Sequence, residues 1–235
     1  MGKHGKRYES AVTKLERNGP LPPEEALKRV KETASAKFNE TIDLAIRLGV
    51  DPKSGEQTVR GVVSLPHGSG KSPRVAAFAK GEAATAAEQA GADVVGAEDL
   101  VAKIEGGWKD FDVVVAARDM MRIVGRLGKR LGPRMPNPKA GTVGDDLGKI
   151  VRDLKSGRVQ FRVDRAGNVH GPIGKASFTV EQLTENFGTL MLSVLRARPA
   201  STKGQFIRKV TVSTTMGPGV DVDPAQAQAL AETLT

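Results

Sequence analysis

The sequence predicts mixed α/β and α+β structure in two domains, a discontinuous α+β domain built from both chain ends and an inserted Rossmann-like α/β domain. Three observations support this prediction. The chain has 235 residues, which suits two compact cores better than one. Residues 73–156 alternate short apolar strands with helices, as in a parallel sheet covered on both faces. The flanking segments instead combine helices with strands of alternating polarity, which is typical of an antiparallel sheet with one wet face.

Two glycine-containing segments define the predicted domain boundaries. The pattern changes at residues 66–70 and changes back at 156–157. We therefore predict that residues 1–68 and 159–235 form the discontinuous domain and that residues 69–158 form the insert, because surface loops tolerate insertions. Glycine permits large changes of backbone dihedral angles, so Gly68, Gly70 and Gly157 are candidate hinge residues. Two plain turns would explain these glycines equally well.

Hydrophobic periodicity and capping signals predict the individual elements. In the discontinuous domain we predict helices at 24–35 and 180–198, strands at 42–48, 58–65 and 206–214, a turn at 49–55, and a hairpin of strands 158–163 and 168–170. In the insert we predict strands at 75–79, 93–95 and 112–117, and helices at 82–90, 98–105, 119–127 and 145–155. The helix predicted at 180–198 has the clearest start, because Thr179 and Gln182 are spaced as a capping box.

Composition excludes several classes of function. The chain has no cysteine, so disulfides, thiolate catalysis and thiolate metal sites are excluded. Its three histidines, His4, His67 and His170, have no spacing that favours a metal site, and we expect neither metal nor cofactor. The basic N-terminus has no apolar stretch behind it and no apolar run is long enough to span a membrane, so we expect a cytoplasmic protein without a membrane partner.

Charge points to a polyanionic partner. Lys plus Arg number 36 against 27 Asp plus Glu, which gives a net charge of +9. The segment between Met120 and Gly144 contains no acidic residue. Three prolines between Pro133 and Pro138 disfavour regular structure in its second half, so we expect a stiff, exposed, cationic loop. The candidate anion-binding residues of this loop are Arg126, Lys129, Arg130, Arg134 and Lys139. An ordinary solvated loop is the alternative.

Two further segments offer the chemistry of RNA recognition. Residues 37–41 provide a cation, an aromatic ring, an amide and a hydroxyl within five positions, which suit phosphate, base stacking and the 2′-hydroxyl. The alternative for Phe38 is a core residue at a helix–strand junction. The second segment has three successive hydroxyls, Ser213, Thr214 and Thr215, and continues with Met216 and Gly217, where the backbone allows close approach. Its alternative is an ordinary polar strand end.

Four motifs resemble the ribosomal L-one family of bacterial type, whose members form the mobile side stalk of the large ribosomal subunit. The motifs are Gly132-Pro-Arg-Met-Pro-Asn-Pro-Lys-Ala-Gly141, Lys37-Phe-Asn-Glu-Thr-Ile-Asp43, Arg60-Gly-Val-Val-Ser-Leu-Pro-His-Gly-Ser-Gly-Lys71 and Ser213-Thr-Thr-Met-Gly-Pro218. They follow the family's order and span almost the whole chain. The resemblance also favours the hinge interpretation, because the domains of the family open and close.

The resemblance implies specific partners and site residues. It implies binding to large-subunit ribosomal RNA as a monomer within the ribosome, assistance to deacylated tRNA leaving the exit site, and repression of the protein's own mRNA. The implied RNA-binding residues are Lys37, Phe38, Glu40, Thr41, Thr215, Met216 and Gly217, with Arg165, Gly167, His170 and Lys175 in the same RNA-facing region. For Glu40, a carboxylate can still accept hydrogen bonds from RNA or orient Lys37, at some electrostatic cost. The basic loop of the insert would face the tRNA.

Two other classes of function remain as alternatives. One is a nucleotide-dependent enzyme that uses the α/β domain. Its only support is His67-Gly-Ser-Gly-Lys-Ser72, which lacks the first glycine of a phosphate loop because Leu65 occupies that position. The other is a basic scaffold without a preferred RNA. We therefore predict a structural ribosomal protein rather than an enzyme.

Overall fold

A computed structural model describes residues 5–15, 19–52 and 57–233. The chain divides into two compact units. Unit 1 comprises Met1–Gly70 and Arg158–Thr235, and unit 2 comprises Lys71–Gly157. The mixed α/β fold class predicted from the sequence is confirmed. Part of the predicted turn at 49–55, and His4, lie outside the described residues.

Unit 1 combines helices with two antiparallel sheets. Its helices are α1 (Lys6–Lys14), α2 (Pro23–Thr33), α8 (Val180–Arg196) and α9 (Pro224–Thr233). Its strands are β1 (Thr41–Leu48), β2 (Arg60–Ser64), β6 (Arg158–Arg162), β7 (Asn168–Lys175), β8 (Ile207–Thr214) and β9 (Val220–Val222). One sheet has the order β7-β1-β8-β9 and the other pairs β2 with β6.

The four-stranded sheet of unit 1 buries one face. Ile42, Leu44, Ile46 and Leu48 of β1 are buried, and the residues between them are not. This period of two is what a pleated strand requires when only one face meets the core. The buried face belongs to one hydrophobic core that includes side chains of α2, α8 and α9. Residues from both chain ends therefore share a single core.

One prediction for unit 1 is wrong, and three of its elements were not predicted. The strands around residues 158–163 and 168–170 do not form a hairpin, because β6 pairs with β2 while β7 pairs with β1. Only a turn and an isolated bridge between Val163 and Val169 connect them. Helices α1 and α9 and strand β9 were not predicted. The alanines Ala227 and Ala231 of α9 are fully buried, but small side chains give a weak periodic signal.

Unit 2 has a parallel sheet enclosed by helices. Its strands are β3 (Val75–Phe78), β4 (Val94–Gly96) and β5 (Val113–Ala116), in the order β4-β3-β5. Its helices are α3 (Glu82–Gln89), α4 (Glu98–Glu105), α5 (Met121–Val124), α6 (Gly128–Leu131) and α7 (Leu147–Lys155). Every residue of β3 is buried, as expected of a central parallel strand covered on both faces. A separate hydrophobic core fills unit 2.

Candidate nucleic-acid interface

Three segments of unit 1 meet at one end of the four-stranded sheet. Strand β1 begins at this end, directly after a turn, and strands β7 and β8 end there. Thr41 lies opposite Lys175 of β7, and Ile42 lies opposite Thr214 of β8. The structure thus brings together two segments that are distant in sequence, 37–41 and 213–217, as the family resemblance implies. We call the surface formed by residues 35–41, 175–178 and 213–217 the sheet-end surface.

Phe38 and Met216 are the exposed large hydrophobic side chains of this surface. Phe38 is 55% exposed and Met216 is 49% exposed. No other large hydrophobic residue within 5–15, 19–52 and 57–233 is found exposed in this way. The alternative that Phe38 closes the core is therefore excluded. Lys37 is also exposed, so a cation, an aromatic ring and a thioether are available to a partner on one surface.

Glu40 differs from its neighbours because it is buried, with only 1% exposure. Its Oε1 accepts a hydrogen bond of 2.8 Å from the main-chain N–H of Ala36, and its Oε2 accepts one of 2.9 Å from that of Met216. Burial by itself raises the pKa of Glu40, but these hydrogen bonds outweigh burial and the net pKa is lowered. This burial does not fit the direct RNA contact that we predicted for Glu40.

The hydroxyls of residues 213–215 have different environments. The Thr215 hydroxyl is exposed but already bonded to β1, since it accepts from the Thr41 N–H at 3.0 Å and lies 3.3 Å from the Thr41 carbonyl. Thr214 is buried, and its hydroxyl lowers the pKa of Glu40 although its geometry falls short of a full hydrogen bond. Ser213 is half-buried and lies opposite Asp43. Thr214 is thus the least available of the three to a partner.

Gly217 closes the turn through tight packing. A Cβ atom at this position would lie 2.3 Å from the Thr214 hydroxyl oxygen and 3.2 Å from that of Thr33. No side chain fits without displacing the turn. The glycine therefore allows the turn to pack closely against Thr214 and Thr33.

Lys175 and Asn39 connect the third segment to the surface. The Lys175 ammonium group donates to the Thr41 hydroxyl at 2.8 Å. The Asn39 amide donates to the Ser177 hydroxyl at 2.9 Å. Asn39 lies within the recognised motif, whereas Ser177 carried no sequence signal because its position depends on strand pairing.

Two predicted RNA-binding residues, Arg165 and Gly167, lie in a turn at the opposite end of the same sheet, and a third, His170, lies on β7 between the two ends. The Gly167 carbonyl accepts a hydrogen bond of 2.8 Å from Leu48, the last residue of β1, and His170 lies opposite Ala45. Arg165 is exposed in the turn between β6 and β7, before Gly167. At about 3.3 Å per residue, the eight residues of β1 separate this turn from Thr41 by roughly 23 Å. The predicted residues therefore form two groups rather than one.

The Asp164 side chain shapes the turn at the opposite end. Its Oδ1 accepts from the main-chain N–H groups of Ala166 and Asn168, both at 2.8 Å. Hydrogen bonding, chiefly from the Asn168 N–H, lowers the pKa of Asp164. Gly167 adopts a positive φ of 83°, which the turn requires. The carboxylate and the glycine together define the turn in which Arg165 is exposed.

Each candidate hinge glycine has a positive φ, 68° for Gly68, 69° for Gly70 and 96° for Gly157. Within unit 1, buried Asn186 binds residues 67 and 68 of the first boundary segment. This residue was not identified from the sequence. Its side-chain amide donates to the Gly68 carbonyl at 3.0 Å and its oxygen accepts from the His67 N–H at 3.1 Å. A hinge role for these glycines stays a prediction.

The basic segment of unit 2 is more structured than we predicted. Short helical turns occupy Gly125–Leu127, Gly132–Arg134 and Pro138–Ala140. Arg126, Lys129 and Arg130 are exposed as predicted. However, Arg126 lines a groove that also contains the acidic side chains of Glu98, Glu105 and Asp119. The absence of acids along this stretch of sequence therefore does not carry over to the folded surface.

Arg134 differs from the other cations of the segment because its guanidinium contacts Phe111 of unit 2. Its guanidinium donates to the Phe111 carbonyl at 2.7 Å, and its central carbon lies 5.5 Å from the centre of the Phe111 ring. These contacts attach the segment to the body of unit 2, so Arg134 is less available to an anion than the three other described cations. The side chain of Lys139 lies outside the described part of the structure.

The described residues offer binding groups rather than a metal centre. Within residues 5–15, 19–52 and 57–233 there is no group of three His, Cys, Asp or Glu side chains that could hold a metal ion. None of the described helices is long and apolar enough to cross a membrane.

The chain is basic, has two units and exposes aromatic and cationic groups at one sheet end. These features are typical of the class of nucleic-acid-associated proteins. The sequence model described as "Ribosomal protein L1p/L10e family" matches residues 30–218. The chain is 53% identical to the large ribosomal subunit protein uL1 of Mycobacteroides abscessus over 226 residues, covering 95% of this chain and 96% of the relative. It is 52% identical to the protein of the same name from Rhodococcus erythropolis over 234 residues, covering 99% of this chain and 98% of the relative.

The chain belongs to the ribosomal protein L1 family. The family predicted from the four motifs is thus confirmed. Because its relatives are ribosomal proteins, the prediction that the chain is not an enzyme is confirmed as well.

Proposed function

We propose that this chain is a component of the large ribosomal subunit in the cytoplasm and that the sheet-end surface of unit 1 binds ribosomal RNA. The observation that carries the proposal is the exposure of Phe38 and Met216 on one surface beside Lys37. Leaving two large apolar side chains in water is unfavourable unless a partner covers them. Nucleotides suit this combination, because bases stack on aromatic rings and phosphates pair with Lys.

Two further roles follow from the family resemblance. Assistance to exit-site tRNA is assigned to the exposed cations of unit 2, Arg126, Lys129 and Arg130. Repression of the protein's own mRNA would use the same sheet-end surface, because a messenger that imitates the ribosomal site needs the same contacts. Repression requires that the sheet-end surface bind RNA, and the tRNA role requires that this surface attach the chain to the ribosome.

Binding of a folded stem-loop of large-subunit RNA and of a scrambled RNA, compared at matched salt, tests the main proposal. Phe38→Ala should cost about 1–3 kcal/mol of binding free energy on the folded RNA and leave the salt dependence unchanged, because a stacking face is lost. Lys37→Ala should instead reduce the slope of log affinity against log salt by roughly 0.7–0.9, because one phosphate contact is lost.

The controls separate folding from recognition. Circular dichroism establishes that each variant is folded, which the exposure of Phe38 leads us to expect. Equal affinity of the wild-type protein for folded and scrambled RNA would indicate a basic scaffold and contradict the proposal. Unchanged affinity of both variants would move the RNA site away from the sheet-end surface.

A further inference from the structure

Glu40 occupies an unusual position for a surface that is to bind a polyanion. Its carboxylate is hydrogen-bonded to the main-chain N–H groups of Ala36 and Met216, and only 1% of the residue is exposed. A carboxylate near RNA phosphates weakens binding by like-charge repulsion. Its presence therefore calls for a compensating role.

The hydrogen bonds of Glu40 connect segments that are distant in sequence. One carboxylate oxygen holds the Ala36 N–H at 2.8 Å, and the other holds the Met216 N–H at 2.9 Å. The main-chain carbonyl of Glu40 accepts from the Ala176 N–H at 2.9 Å. One residue thus joins all three segments of the sheet-end surface.

We propose that Glu40 is a positioning residue for RNA binding, an inference that rests on the proposed function. Its carboxylate holds the turn that carries Lys37 and Phe38 at a fixed separation from Met216, without touching RNA. Fixing both segments before binding removes the entropy cost of ordering them in the complex. The two exposed apolar side chains are then presented together to one RNA molecule.

A carboxylate suits this role better than an amide. Both of its oxygens accept hydrogen bonds, and both are needed because each faces a main-chain N–H. Glutamine has nearly the same shape but offers one oxygen and one NH₂ group. Glu40→Gln would therefore set a donor against a donor and leave one N–H without a partner.

The charge effect and the positioning effect of Glu40→Gln have opposite signs, which makes the experiment decisive. Removing a negative charge alone should strengthen RNA binding slightly. Losing one of the two hydrogen bonds that join the segments should weaken RNA binding. Glu32→Gln is the matched control, because Glu32 is an exposed carboxylate of α2 close in sequence to the site.

RNA binding of both full-length variants is measured across a salt series with the folded stem-loop. We expect Glu40→Gln to lose at least tenfold in affinity with an unchanged salt slope, and Glu32→Gln to match or slightly exceed the wild-type protein. Without RNA, hydrogen exchange at the amides of Ala36 and Met216 should accelerate in Glu40→Gln while the amides of β1 stay protected. A purely structural role would not confine the change to these two segments.

Equal affinity of the two Gln variants would overturn the positioning role. If Glu40→Gln fails to fold, Glu40→Asp decides, because it keeps the charge but shortens the side chain, so that the carboxylate no longer reaches both main-chain N–H groups. It should lower affinity in the same direction, and wild-type affinity of Glu40→Asp would then overturn the role. A wild-type protein without preference for the folded RNA would overturn the proposed function itself.

Discussion

At the residue scale, exposure separates the recognition side chains from those that support them. The sequence motif indicated Phe38 as a candidate RNA-binding residue, and the structure shows it exposed. It could not predict the burial of Glu40, because the donors that permit burial come from residue 36 and from residue 216, which only the fold brings together. For the same reason the predicted hydroxyls of 213–215 could not be divided into free and engaged groups from their sequence.

The lowered pKa of Glu40 predicts how protein stability depends on pH. Because its folded-state pKa lies below the ordinary value of 4.5, ionised Glu40 stabilises the fold above that value. This contribution is lost as pH falls below 4.5 and through the lowered folded-state pKa. Glu40→Gln should lower the free energy of unfolding by about 1.5–3 kcal/mol at neutral pH, and by progressively less in acid.

Urea unfolding of both proteins at a series of pH values between 7 and 3 measures this difference. The other carboxylates with lowered pKa values are present in both proteins, so their contributions cancel. They are Asp93, Asp99, Asp112 and Asp164. A difference that stays constant down to the most acidic pH would show that ionisation of Glu40 does not stabilise the fold.

At the element scale, local periodicity predicted most helices and strands but not their pairing. The predicted helix at 98–105 coincides with α4, and the alternating strand at 42–48 lies within β1. The failed hairpin shows the limit, since β6 has the turn to β7 beside it but pairs with β2, far away in sequence. Which strand pairs with which depends on burial of apolar faces in the whole unit, which a local pattern does not contain.

The basic segment of unit 2 gives a prediction at the same scale. Substituting Arg126, Lys129 and Arg130 with Gln should slow release of deacylated tRNA from assembled ribosomes while leaving binding to the ribosomal RNA fragment nearly unchanged, because these cations belong to unit 2. Arg134 is left intact because it packs on Phe111. Stopped-flow measurement of tRNA release from ribosomes carrying each protein tests this expectation.

A charge-matched control tests whether position or net charge matters. Three other exposed cations of unit 2, changed to Gln, remove the same charge elsewhere. They are Lys103, Lys109 and Lys149. Release kinetics that are equal in both triple variants would mean that the basic segment has no special role toward tRNA.

At the scale of the whole molecule, the candidate RNA site and its supporting core belong to one unit. Residues from both chain ends form the unit 1 core, and the sheet-end surface uses no residue of unit 2. The chain leaves unit 1 after β2 and re-enters it at β6, and these two strands pair with each other. Ser64 at the end of β2 lies opposite Arg158 at the start of β6. A short linker can therefore replace the insert.

Residues 1–70 joined to 158–235 by a short Gly/Ser linker should fold and bind the ribosomal RNA fragment almost as tightly as the full chain. The reason is that every contact proposed for this RNA is retained, together with a complete hydrophobic core. Cooperative urea unfolding tests the fold, and filter binding at one salt concentration compares the affinities. A loss beyond about a hundredfold, or roughly 2.7 kcal/mol, in a folded protein would place essential RNA contacts in unit 2.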